Sequence, residues 1–140
     1  MSYLLDTNCI SEPTREKPEP RVLSWLDAVD ESQLYLSVLT LGEIRKGASS
    51  LPDSRRRSHL EIWLERQVKV RFAGRILPIS VDIAERWGWL AAEAKIRGRS
   101  LPVIDGLLAA TALHHNLVLV SRNVTDFLTT SVPVLNPWQE

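Results

Sequence analysis

Asp6, Glu43 and Asp105 are the residues of this chain whose type and setting point to chemistry. Asp6 closes the apolar run Tyr3-Leu4-Leu5, Glu43 comes soon after Leu34-Tyr35-Leu36-Ser37-Val38, and Asp105 opens an Ala- and Leu-rich stretch, so the three lie more than thirty residues apart. Brought together they repel. Two carboxylates about 4 Å apart at an effective dielectric near 20 cost on the order of 4 kcal/mol, so an acidic cluster holds a cation or a proton. Oxygen ligands without cysteine or a histidine pair favour a hard ion, Mg²⁺ or Mn²⁺, over Zn²⁺. Phosphodiester hydrolysis suits such a site, because an ion held there orients a water, lowers its pKa and neutralises charge on the phosphate.

Each acid also has a plain structural role open to it. Asp6, beside Thr7 and Asn8, could cap a helix; Glu43 in an early helical turn could compensate the dipole or close a capping box; Asp105 could be a helix-start carboxylate. The setting of Asp105 argues for more, since Val103, Ile104, Leu107 and Leu108 around it read as buried and a buried charge needs a partner.

The rest of the pattern supplies elements that could gather these acids. Tyr3-Leu4-Leu5 reads as a buried strand, Pro13, Pro18 and Pro20 interrupt the next stretch, and Val22, Leu23, Leu26 and Val29 mark a covering helix over 21–29. A second strand over 34–38 leads into a helix through Leu41, Ile44 and Ala48, capped by Ser37 or Thr40. Leu60, Trp63, Leu64, Gln67 and Val68 predict one long amphipathic helix over 54–70, paired with its predecessor as a hairpin. A third apolar run, 76–79, precedes a helix over 82–96 with a stripe of Ala84, Trp87, Leu90, Ala91 and Ala94. After the turn at 98–102 come a helix over 103–115 and a fully buried strand over 117–121. Strands alternating with helices predict one α/β domain over 1–140, a three-layer α/β/α sandwich around a mainly parallel sheet. Ligands of such sheets gather at the carboxyl ends of the strands, where Asp6, Glu43 and Ser121-Arg122-Asn123 fall.

Composition bounds the rest. With 140 residues, 44% of them hydrophobic, the chain can bury one core without staples. Seventeen basic and seventeen acidic residues cancel, so net charge does not announce a nucleic-acid binder. Between Asp53 and Arg75, however, seven arginines and lysines stand against three acids, a solvated helix face or an RNA-facing stripe. The single cysteine, Cys9, suits a reducing cytoplasm, and no stretch has the length or apolarity of a leader or membrane span. His114-His115 suits a helix end better than a metal site. Trp25, Trp63 and Trp87 fall on apolar faces, which leaves Trp89 as the interface candidate.

Five stretches in order resemble one family. They are Leu4-Leu5-Asp6-Thr7-Asn8, Ser37-Val38-Leu39-Thr40-Leu41-Gly42-Glu43-Ile44, Pro102-Val103-Ile104-Asp105-Gly106-Leu107-Leu108-Ala109-Ala110-Thr111-Ala112, Val120-Ser121-Arg122-Asn123-Val124-Thr125-Asp126-Phe127 and Asn136-Pro137-Trp138. Across its length the chain resembles the PIN-domain ribonuclease toxins of type II toxin–antitoxin systems, the VapC family in its FitB-like branch. The resemblance implies a PIN-like fold and a Mg²⁺- or Mn²⁺-dependent endoribonuclease. It implies Asp6 and Asp105 as principal metal ligands, Glu43 as a ligand or holder of the metal's water, and Thr7, Asn8, Ser121 and Asn123 as support. Relatives carry a fourth acid after the last core strand. Here Asn123 stands in its place and Asp126 comes three residues later, so either could complete the site. The resemblance further implies a homodimer and a small DNA-binding antitoxin through which alone operator DNA is met.

Two other readings are open to the same residues. An aspartyl-phosphate enzyme would place a second aspartate two residues after Asp6, where Asn8 stands. A catalytically inactive RNA- or protein-binding PIN module would have lost part of its acid set, and this chain retains Asp6, Glu43 and Asp105.

Overall fold

The computed structural model describes residues 1–139. Strand β1 (Tyr3–Leu5) turns straight into α1 (Thr7–Ser11) and a 3-10 turn (Glu12–Thr14), and α2 (Pro20–Ala28) starts at proline, whose fixed φ and missing N–H suit a first helical position. β2 (Leu34–Ser37) runs into α3 (Val38–Ser49), with the Ser37 hydroxyl accepting from the Leu39 N–H as the cap. α4 (Arg55–Trp63), a π-helical turn (Leu64–Val68) and α5 (Lys69–Arg71) form a rod returning along α3. β3 (Ile76–Leu77), α6 (Val81–Ile96), α7 (Val103–His114), β4 (Val118–Val120), a 3-10 turn (Val124–Phe127) and β5 (Val134–Leu135) complete the chain.

The five strands form one sheet in the order β3-β2-β1-β4-β5, every neighbouring pair parallel, with Tyr3 opposite Leu34 and Leu5 opposite Val120. Period-two alternation divides the core between its faces. Leu5, Leu34, Leu36 and Val120 meet Cys9, Ile10, Val22, Leu26, Ile44, Leu64, Val68 and Phe72 on one side. Leu4 and Leu119 meet Ile83, Leu90, Leu108, Ala109, Ala112 and Phe127 on the other. The architecture is therefore the three-layer α/β/α sandwich, with β1 and β4 at the point where strand order reverses.

Several local expectations need correction. The helix predicted over 54–70 is interrupted by the π turn, which sets Leu64 and Val68 into the core while Gln67 faces solvent. On α6 the buried stripe is Ile83, Leu90 and Ala94, with Trp87 half-buried and Ala84 exposed. Val103 is exposed, and Ile104 and Leu107 are only partly buried, so the first turn of α7 is less enclosed than its apolar residues suggest. β5 is an element that the sequence pattern does not predict: two residues give no periodicity, and the pairing of Leu119 with Val134 is a tertiary event.

Candidate active site

The carboxyl ends of β1 and β4 lie side by side at the reversal point, the place in such sheets where ligands bind in a crevice outside the strand ends. Asp6 is the first residue past β1 and caps α1: its Oδ1 accepts from the Thr7 N–H at 2.7 Å. Its Oδ2 accepts from the Ser121 hydroxyl at 2.7 Å, across from the end of β4. Ser121 is fully buried, and its oxygen also accepts from the Asn123 N–H at 3.0 Å and the Asn8 side-chain amide at 3.4 Å. With its one proton committed to Asp6 and both lone pairs engaged, this hydroxyl holds the carboxylate in a fixed orientation.

Glu43 lies in the second turn of α3, and its Oε1 accepts from the Thr7 hydroxyl at 2.6 Å. Thr7 thus touches two of the acids, Asp6 through its N–H and Glu43 through its hydroxyl. Asp105 stands in the first turn of α7. The residue after it fixes how close that turn comes to α6: a Cβ on Gly106 would lie 2.7 Å from Trp87 Cδ1 and 2.9 Å from its Nε1. Gly106 is what lets the indole pack there, a role that only a lone glycine within an Ala-rich run could have signalled.

Electrostatics joins these acids. Burial pushes the Asp6 carboxyl up, partly offset by its bonds from Ser121 and Thr7, and Glu43 and Asp126 raise it further. Asp105 is pushed up to about 6, first by burial and then by Asp6, Asp126 and Glu43. Every charged neighbour acting on Asp105 is another carboxylate. Asp126, exposed in the 3-10 turn after β4, is within reach of both aspartates, whereas the contribution of Asn123 is its backbone N–H to Ser121.

A hard divalent cation fits this donor set. Among the described residues no three His, Cys, Asp or Glu side chains form a ready-made metal cage. Mg²⁺, however, is usually held by one or two carboxylates and keeps several waters, and Asp6 and Asp105 are the carboxylates here that could hold it. Beyond burial, the other acids raise both carboxyls, a repulsion that a bound cation would relieve.

The histidine pair, Trp25 and Trp89 fall outside the crevice. His114 and His115 stack edge to face at 4.9 Å at the end of α7, Trp25 packs on Tyr3, and Trp89 is 64% exposed on α6. No described helix is long and apolar enough to cross a membrane.

The family described as PIN domain matches residues 3–129. The chain belongs to the PIN-domain family. This PIN domain is 39% identical to the protein named Toxin FitB of Neisseria gonorrhoeae over 98% of its own length and 99% of that chain. It is 37% identical to VapC ribonuclease Y4jK of Sinorhizobium fredii over 97% of each. A solved structure of FitAB bound to an IR36 DNA fragment superposes with a TM-score of 0.92 at 38% identity, covering 97% of this PIN domain and 95% of that chain.

Proposed function

We propose that this PIN domain is a Mg²⁺- or Mn²⁺-dependent endoribonuclease and the toxin of a toxin–antitoxin pair. The observation that carries the reading is the cluster of like charges at the β1–β4 crevice, Asp6 and Asp105 with their carboxyls both pushed up and Glu43 and Asp126 in electrostatic reach. The relatives named ribonuclease and toxin, matched over nearly their full length, support it.

Asp6 and Asp105 would hold the ion, Glu43 would bind it or orient its water, and Asp126 would complete the acid set from the rim. When bound, the ion supplies Lewis acidity and a more acidic water. The protein's own part is orientation and proton handling. Ser121 and the Thr7 N–H keep Asp6 from turning away, and Thr7 fixes Glu43 through Oε1, so that Oε2 is the oxygen left to accept the proton of an attacking water. In-line attack on an RNA phosphodiester then needs only a strand laid across the crevice. A homodimer working in the cytoplasm, and a small antitoxin that covers the crevice and carries the DNA contact, complete the reading; the solved FitAB structure bound to a DNA fragment supports the pairing with DNA.

The test is direct. Purified protein is expected to cleave single-stranded RNA with Mn²⁺ and to stop on addition of EDTA. Cleavage that continues in EDTA, or none under any divalent ion, would contradict the reading. Co-purification of a small protein with the chain would distinguish a toxin from a solitary nuclease, and the inactive binding module would retain RNA without cutting it.

A further inference from the structure

A crevice whose identified acids all carry the same charge needs something to receive the rest of a polyanion. The segment that follows β4 offers it. Arg122 is the second residue past β4, directly after the Ser121 that holds Asp6, and lies between the carboxyl ends of β1 and β5. Its backbone is tied to both sides: the N–H donates to Asn8 Oδ1 at 3.4 Å, and its carbonyl accepts from the Asn136 side-chain amide at 3.5 Å. The side chain is exposed, with its guanidinium 5.7 Å from the ring centroid of Trp138, itself buried to 8% exposure in the core.

Seven arginines of this chain are ion-paired. Arg71 and Arg75 are bound by Glu31, Arg45 and Arg57 by Glu61, and Arg21 by Glu19. Arg122 shares with Arg55, Arg56, Arg66, Arg86 and Arg99 the lack of an ion pair among the described residues, and differs from them in adjoining Ser121. Glu19, the acid that feels its charge, is taken by Arg21 at 2.6 Å. A guanidinium backed by an aromatic ring keeps its planar fork of donors facing outward, with less side-chain freedom to lose on binding.

We propose that Arg122, steadied on Trp138, binds a phosphate of the RNA strand beside the scissile one and so positions the strand over the acids. This rests on the proposed ribonuclease activity. The ligand is a phosphodiester of single-stranded RNA, for which a planar guanidinium is the matching donor, through two parallel hydrogen bonds. Arg122 is a positioning residue, and the reacting phosphate remains with the acid set.

The experiment uses the full chain, a fluorescent single-stranded RNA and the variants R122Q, R122K and W138F. In Mn²⁺, R122Q should raise KM about tenfold with kcat within about twofold, the size expected for one lost charge-assisted contact. With Ca²⁺ in place of Mn²⁺, the slope of log affinity against log salt should become shallower by about 0.7, the value for one single-strand phosphate contact. R122K should recover the slope and only part of the affinity, and W138F should give a smaller loss than R122Q. The Mn²⁺-induced thermal shift should match wild type in R122Q. An active wild type with KM and salt slope unchanged in R122Q overturns this inference alone, as does an R122Q defect confined to capture of a protein partner. A wild type that neither binds nor cleaves RNA overturns the ribonuclease reading and this inference together.

Discussion

Two groups of charge, at opposite edges, amino and carboxyl, of the same parallel sheet, behave in opposite ways. At the amino ends of β2 and β3, Glu31 receives both Nε and Nη2 of Arg71 at 2.9 Å and Nη2 of Arg75 at 2.9 Å, while Arg75 also donates to the carbonyls of Glu31, Leu34 and Arg71. The two guanidiniums lie over the Phe72 ring, and the Glu31 carboxyl is held below its usual range, first by its bond from Arg71. At the carboxyl end of β1, burial and neighbouring acids push Asp6 and Asp105 upward instead. A structural cluster satisfies its charges within the chain, whereas the acid cluster leaves its demand for positive charge to something outside.

The sharpest way to break this contrast is to neutralise one acid. Asp6→Asn and Asp105→Asn should each lower RNA cleavage by about a hundredfold or more, at or beyond the loss typical of a metal's outer partners. In metal-free buffer Asp105→Asn should melt at or above the wild-type temperature, because a repelling charge has been removed, whereas Asp6→Asn offsets that gain by giving up one of the two bonds that Asp6 accepts from the Thr7 N–H and the Ser121 hydroxyl. Full cleavage in either variant would break the contrast from the active-site side.

Gly106→Ala comes next. The added methyl meets Trp87, and overpacking of this kind costs about 1–3 kcal/mol, read as a lower melting temperature. Trp87→Leu in the same chain should recover part of it. Thr7→Val removes the hydroxyl that holds Glu43 and should cost about tenfold in cleavage with little change in melting temperature.

The smallest effect is the pH response, and its sign differs between the clusters. Asp105 is raised from 3.8 to about 6, so its contribution to metal-free stability is present below pH 3.8 and is lost as pH rises through about 6. Glu31 is lowered from 4.5, so its contribution is present above that value and is lost as pH falls below it. Melting curves of Asp105→Asn and Glu31→Gln between pH 3 and 8 should each flatten one limb only. Glu31→Gln should cost no more than about 1 kcal/mol at neutral pH, since half of that side chain is in water, and should leave cleavage unchanged.

The same contrast explains what is legible in the sequence. Strands β1, β2 and β4 and the helices around them follow from apolar runs and helical spacing, and Asp6 and Glu43 are readable because each sits just beyond a strand that the pattern defines. β3 is marked by the apolar run over 76–79, but β5 is not readable, because nothing local distinguishes Val134–Leu135 from a loop until Leu119 is beside it. Nor is the Glu31–Arg71–Arg75 cluster, whose partners lie about forty residues apart on exposed positions with no motif. The support given by Ser121 is implied by family resemblance, but its triple engagement with Asp6, Asn8 and Asn123 depends on strand register. Exposure of Val103 is hidden from the sequence for a related reason: an apolar residue in the first turn of α7 has no second element over it.

Calorimetric titration of Mn²⁺ into the purified chain at pH 7.5, beside Asp105→Asn and Glu31→Gln, tests the central claim most directly. The account predicts saturable binding to wild type and to Glu31→Gln, and its loss in Asp105→Asn. Equal binding in all three, or none in wild type, would contradict it.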